Sequence, residues 1–125
     1  MAAFEFKDNT IKLDIAGHSF TVDPVNSSTK IQQMGKKVDT LILSMDYEEI
    51  CRAISENIDD ILGAGAVDTI FSGRDANVYD LLDVWTYISG ENNAFLEKKN
   101  KEYGVTKNQI KQELNRAQRR AQNKA

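Results

Sequence analysis

Over the first 23 residues apolar and polar side chains alternate with period two. Phe4 and Phe6, then Ile11, Leu13 and Ile15, then Phe20 and Val22 fall on one face, with Lys12, Asp14, Ser19 and Thr21 on the other. Such alternation marks short, half-buried strands. Lys7-Asp8-Asn9 and Ala16-Gly17-His18 carry the residue types that turns use, and Asp23-Pro24 stops the last strand. The pattern predicts a three-stranded antiparallel β-meander over residues 1–23, whose apolar face needs a further layer to cover it.

Beyond residue 26 the period changes to that of a helix. Ile31, Met34, Val38, Leu41, Ile42 and Met45 form one inward stripe on a helix predicted over residues 28–45, although Gly35 inside it costs ~1 kcal/mol relative to alanine. Asp46 is the predicted N-cap of the next helix, with Glu49 completing a capping box and Glu48 and Arg52 forming an i,i+4 pair. Its stripe is Tyr47, Ile50, Cys51, Ile54, Ile58, Ile61 and Leu62, and Gly63 closes it. Val67, Ile70 and Phe71 predict one or two further turns. Asn77 or Asp75 then caps a helix that turns Val78, Leu81, Leu82, Trp85 and Ile88 inward; Gly90 could kink or end it, and Gly104 is its natural stop.

Together these elements predict an α+β fold: a small N-terminal meander, a mostly helical bundle, and a basic C-terminal tail. Residues 1–104 form the expected single domain, with 1–23 the meander and 26–104 helical, and residues 105–125 form a partly helical or disordered tail. At 125 residues, 41% hydrophobic and 28% charged, with one proline and seven glycines, the chain is of single-domain size and unlike low-complexity or collagen-like sequences. The apolar runs are far shorter than a bilayer span, and the first residues show no basic-then-apolar secretory pattern, so neither membrane insertion nor secretion is expected. A single cysteine makes no internal disulfide, and a reducing cytoplasm is the expected compartment.

Charge is divided unevenly. Residues 1–96 carry 7 basic and 16 acidic side chains, a balance of −9, whereas residues 97–125 carry 9 and 3, a balance of +6. An acidic body with a basic tail suggests a tail with its own partner. Within the tail Ile110 and Leu114 are the only large apolar residues on its helical stripe, so a helix there gains little stability by itself. We expect Ile110 and Leu114 to be contact residues for a partner, and Lys107, Lys111, Arg116, Arg119 and Arg120 to select acidic groups on it. The same cations could touch phosphates, but no aromatic residue follows Tyr103 to stack on bases, which weighs against nucleic acid as the main partner.

Catalytic signals are poor. The one histidine, His18, falls in a predicted turn, and Cys51 lies on a buried stripe where a thiol behaves as a small apolar group. Asp59-Asp60 and the Asp80/Asp83 pair fall on polar helix faces, and one histidine with one cysteine cannot form a diagnostic zinc site. Gly63-Ala-Gly65 follows a helix rather than a strand and lacks the third glycine of a phosphate-binding loop. No catalytic residue, metal site or cofactor is expected.

The order of elements, with a meander ending Phe20-Thr-Val-Asp-Pro24 and the stretch Phe71-Ser-Gly-Arg-Asp-Ala-Asn77 opening a Trp85-bearing helix, resembles the tail assembly chaperones of long-tailed phages and prophages of Gram-positive bacteria over residues 4–96. The resemblance implies a non-catalytic protein of the host cytoplasm. It would bind the tape measure protein, keep it soluble before the tail tube surrounds it, and help to recruit the tail tube protein. It supplies no motif that fixes individual binding residues. A half-covered apolar surface also leaves room for self-association into a homo-oligomer. The alternative is a nucleic-acid-associated accessory protein that uses the basic tail.

Overall fold

The computed structural model describes residues 3–104 and orders them as β1 (Ile11–Ile15), β2 (His18–Val22), α1 (Pro24–Gly35), α2 (Val38–Ser44), α3 (Tyr47–Leu62), α4 (Ala66–Ile70) and α5 (Val78–Glu102). The fold is α+β, as the change of period from two to 3.6 predicts. The chain divides into two units, residues 1–93 and residues 94–125.

The sheet has two strands rather than three. β1 and β2 pair antiparallel with Ile11 opposite Val22, Leu13 opposite Phe20 and Ile15 opposite His18. Ile11, Leu13, Ile15 and Val22 are buried, while Lys12, Asp14, Ser19 and Thr21 face out. Ala16 and Gly17 make the two-residue loop, both with positive φ (52° and 81°). This is the handedness that matches the twist of a hairpin. His18 is therefore not in the turn but opens β2, exposed.

The expected first strand does not form. Residues 3–10 have no regular structure, and Phe4 and Phe6 are 80% and 92% exposed. Their rings meet each other edge to face, with centroids 5.0 Å apart. Asp8 accepts from both the backbone N–H (3.0 Å) and the hydroxyl of Thr10, a local turn that satisfies the chain without a neighbouring strand. Those two bonds, the hydroxyl's first, hold the Asp8 carboxyl below its ordinary range.

The long helix expected over residues 28–45 is two helices. α1 starts four residues earlier, because Asp23 accepts from Val25 N–H (3.1 Å) and Asn26 N–H (3.4 Å) while Pro24 takes the first helical position. There the missing N–H of proline costs nothing, so Asp-Pro acts as a helix start as well as a strand stop. α1 ends at Gly35, and Lys36-Lys37 separates it from α2. Glycine weakens the helix at that point, and the stripe no longer keeps one face: Ile31 and Met34 are buried, whereas Ile42 and Met45 are exposed.

α3 is the central element. It buries Ile50, Ala53, Ile54, Asn57, Ile58 and Ile61, a width of apolar face that α1, α2, α4 and β2 all meet. Asp46 caps it by accepting from Glu49 N–H (3.2 Å). The reciprocal half of a capping box is not made. The backbone N–H of Asp46 donates to Ser44 Oγ (3.2 Å), and the Glu49 carboxylate instead takes the Arg52 guanidinium, with Glu56 on its other side (2.9 Å). Arg52 thus pairs with Glu49 and Glu56, not with Glu48. At the far end Gly63, at φ 121°, turns the chain out of the helix, and Asp59 Oδ1 accepts from Val67 N–H (2.9 Å) to fasten α4. Asp59, expected on a free polar face, holds this corner.

Four hydrogen bonds lock the helices of the first unit together. Asn57 donates to the Lys30 carbonyl (3.1 Å) and accepts from Trp85 Nε1 (2.8 Å), joining α1, α3 and α5 through one buried amide. Lys30 Nζ donates to the Asp60 carbonyl (2.6 Å). Asn92, 1% exposed, donates to the Pro24 carbonyl (3.1 Å). Its Oδ1 has no hydrogen-bond partner.

α5 is capped by Asn77, which accepts from Tyr79 N–H (2.8 Å), and it buries Leu81 and Ile88. Gly90 does not end it. In the second unit the described residues are the last turns of α5 and the stop at Gly104, whose N–H donates to the Lys101 carbonyl (2.9 Å) at φ 73°. Lys99 there pairs with Glu102 (3.4 Å) and lies 6.0 Å from the centre of the Phe95 ring. None of the described helices is long and apolar enough to cross a membrane.

Candidate functional site

α2 has four apolar residues in seven, yet it buries none of its side chains. A helix of two turns can direct only about half of its positions to one neighbour. Here Val38 and Leu41 take that side and are half-buried, and the consecutive run Leu41-Ile42-Leu43 forces the next two outward. Ile42 is 43% exposed and Leu43 81%. The chain then leaves the helix through Met45, 67% exposed, and enters α3 through Tyr47, also exposed.

Met45 sits at φ 56°, ψ 18°, the left-handed helix-ending conformation that glycine usually supplies. A side chain with a Cβ is strained there by ~1 kcal/mol or more. A glycine would make the turn more easily, so the methionine at this corner is not explained by the turn. Of the other exposed apolar residues, Phe4 and Phe6 pair with each other, and Val25, Tyr79 and Tyr87 stand singly, as is normal on any surface. Ile42, Leu43, Met45 and Tyr47 are all exposed and lie within six consecutive residues.

Residues 38–51 contain Asp39, Asp46, Glu48 and Glu49 and no basic residue, while Lys36 and Lys37 precede them at the start of α2 and Arg52 follows. Asp39 lies three and four positions before Ile42 and Leu43, hence on their face of α2. Glu49 is taken up by Arg52, whose hydrogen bond holds its carboxyl below the ordinary range. Among the described residues Asp39, Asp46 and Glu48 enter no ion pair.

On the other side of α2 a polar groove of about 210 Å³ runs between α1, α2 and α3, lined by Met34, Lys37, Leu41, Arg52, Glu56 and Asn57 among others. Its volume is below the ~300 Å³ at which small-molecule sites begin. Arg52 there is already held by Glu49 and Glu56.

The residues singled out for chemistry are dispersed. His18 is exposed at the start of β2, and Cys51 is half-buried on α3. Asp80 pairs with Arg74 (3.6 Å). Among the described residues no three His, Cys, Asp or Glu side chains are grouped as a metal would require. The expected partner contacts Lys107, Ile110, Lys111, Leu114, Arg116, Arg119 and Arg120 lie outside the described residues.

The periodic reading turned Ile42, Met45 and Tyr47 inward, and the structure corrects all three. Leu43 was not assigned to any stripe, and its adjacency to Leu41 and Ile42 was the available signal: three apolar neighbours cannot share one helix face.

Compared with known proteins, the chain matches the family of unknown function DUF6673 over residues 7–123, and it belongs to that family. No curated protein and no solved structure matches it.

Proposed function

We propose that this protein is a non-catalytic assembly chaperone, which binds an apolar helical stretch of a larger protein and keeps it soluble until assembly. The supporting observation is α2, a helix with no buried side chain that offers Ile42 and Leu43, with Met45 and Tyr47 beside them. A protein without a further role has little reason to keep such a surface uncovered. In the setting suggested by the resemblance to phage tail assembly chaperones, the client is the tape measure protein, the tail tube protein is the second partner, and the work is done in the host cytoplasm. The same surface would allow self-association when no client is present.

The test is co-expression with the long, helix-rich protein encoded just downstream, measuring how much of it stays soluble and co-purifies. Rescue that survives moderate salt supports the chaperone reading; no rescue and no co-purification overturns it. The balance of +6 over residues 97–125 favours one competing reading, a nucleic-acid-associated accessory protein. Its phosphate contacts would fail steeply between low and moderate salt, where apolar binding persists. A chaperone is also absent from finished particles, so detection of the protein in purified virions by mass spectrometry would point to a structural component instead.

A further inference from the structure

We infer that the surface formed by α2 and the entry to α3 takes an amphipathic helix of a partner protein whose apolar stripe is flanked by lysine and arginine. The inference rests on the chaperone reading and adds the chemistry of the client's contact segment. Ile42, Leu43, Met45 and Tyr47 supply four exposed apolar side chains within six residues at the end of α2 and the entry to α3, a set of anchors suited to the apolar stripe of a single helix.

The charges around that strip decide the kind of helix. Asp39, Asp46 and Glu48 stand beside it, the next acidic residue, Glu49, is taken up by Arg52, and the other cations near in sequence, Lys36 and Lys37, stand at the opposite end of α2 from Met45 and Tyr47. A helix with acidic flanks would set like charges against these carboxylates, and so would a second copy using the same surface across a two-fold axis. Basic flanks would meet three carboxylates that have no ion pair of their own among the described residues.

Two 20-residue synthetic helices serve as probes, with the same leucine stripe and either lysine or glutamate on its flanks. Their affinities for the full-length protein are measured by fluorescence anisotropy at 50 and 300 mM salt. Three exposed ion pairs of ordinary strength favour the lysine peptide by roughly five- to thirtyfold at low salt. Screening narrows that preference at high salt while the leucine contact persists.

Leu43→Ser with Met45→Ser should abolish measurable binding of both peptides, and both positions are exposed enough for the fold to survive, which thermal unfolding checks. Asp39→Asn with Glu48→Gln should keep binding but cut the preference to what Asp46 alone supplies, and its side chains are of nearly the original shape. Equal affinity for the two peptides, or a preference untouched by Asp39→Asn with Glu48→Gln, overturns the inference. If either result came together with rescue in co-expression, the chaperone reading would stand and only the basic client would be wrong. A lysine preference that depends on Leu43 and Met45, found without rescue, would keep this surface and remove the tape measure protein as its client.

Discussion

α2 and α3 are neighbours in the chain, and both are rich in isoleucine and leucine, yet α3 is the centre of the core and α2 has only half-buried and exposed side chains. Composition does not separate them; spacing and partners do. In α3 the apolar residues recur at three and four positions, so one face collects them, and α1, α2, α4 and β2 cover it. The outer face is left to Glu49, Arg52 and Glu56, which pair with each other. In α2 the apolar residues are consecutive, so the helix has an inner and an outer apolar side and a neighbour for only one. An apolar residue is thus evidence of burial only where its spacing lets a single neighbour cover it.

The sharpest way to break this comparison is to truncate one side chain from each helix. Ile54 is fully buried at the centre of α3, and Ile54→Ala should cost about 2–5 kcal/mol, read as a fall in the urea midpoint. Leu43→Ala removes the same number of carbons from an isomeric side chain, but from the exposed face of α2. Its effect should stay within about 0.5 kcal/mol. Similar losses at both positions would mean that α2 is covered in solution, and the contact surface proposed for it would disappear.

Next in size is the buried amide of α3. Asn57→Ala leaves Trp85 Nε1 without its acceptor and the Lys30 carbonyl without its second donor. A loss of about 1–3 kcal/mol is expected, since an unmade buried hydrogen bond carries the desolvation penalty of the group left behind. Indole fluorescence of Trp85 should report the same change locally. A smaller effect of opposite sign is expected at the end of α2. Met45→Gly relieves a left-handed residue and should raise stability by about 1 kcal/mol, while weakening binding of the lysine-flanked peptide. A gain in stability with binding lost would show that this corner trades ease of folding for contact.

The same contrast explains what could be read from the amino-acid order. The hairpin, α3, α4 and the start of α5 were legible because their apolar periods agree with their caps: Asp46, Gly63 and Asn77 punctuate stripes that one neighbour covers. The helix over residues 28–45 was misread because its stripe could be drawn straight through Gly35, and because Asp23-Pro24 signals a strand end and a helix start equally well. Phe4 and Phe6 alternate like strand residues, but alternation cannot reveal that Asp8 and Thr10 satisfy the turn locally without a third strand. The contact surface was hidden for the reason that made it one. Ile42 and Met45 fit an inward stripe by number, and only the arrangement of α1 and α3 shows that they stay exposed among the described residues.

The smallest effect lies on the outer face of α3, where α2 carries isoleucine and leucine and α3 carries charge. The Arg52 guanidinium donates to Glu49 and so holds that carboxyl below its ordinary range, and the two glutamates raise the affinity of Arg52 for its own proton. A carboxyl whose pKa is lowered by folding adds stability above its unfolded pKa and loses it as the pH falls through the folded value. Arg52→Ala should therefore move the Glu49 titration upward, as carboxyl-detected NMR would show. The stability difference between the variant and the parent should be present at neutral pH and vanish in acid, and it should be small, since every group involved is at the surface. A difference that persisted after Glu49 was protonated would mean that Arg52 acts through its packed stem along the groove between α1 and α3 rather than through its charge. That outcome would make the outer face of α3 part of its packing, and the contrast with α2 would then rest on the inner faces alone.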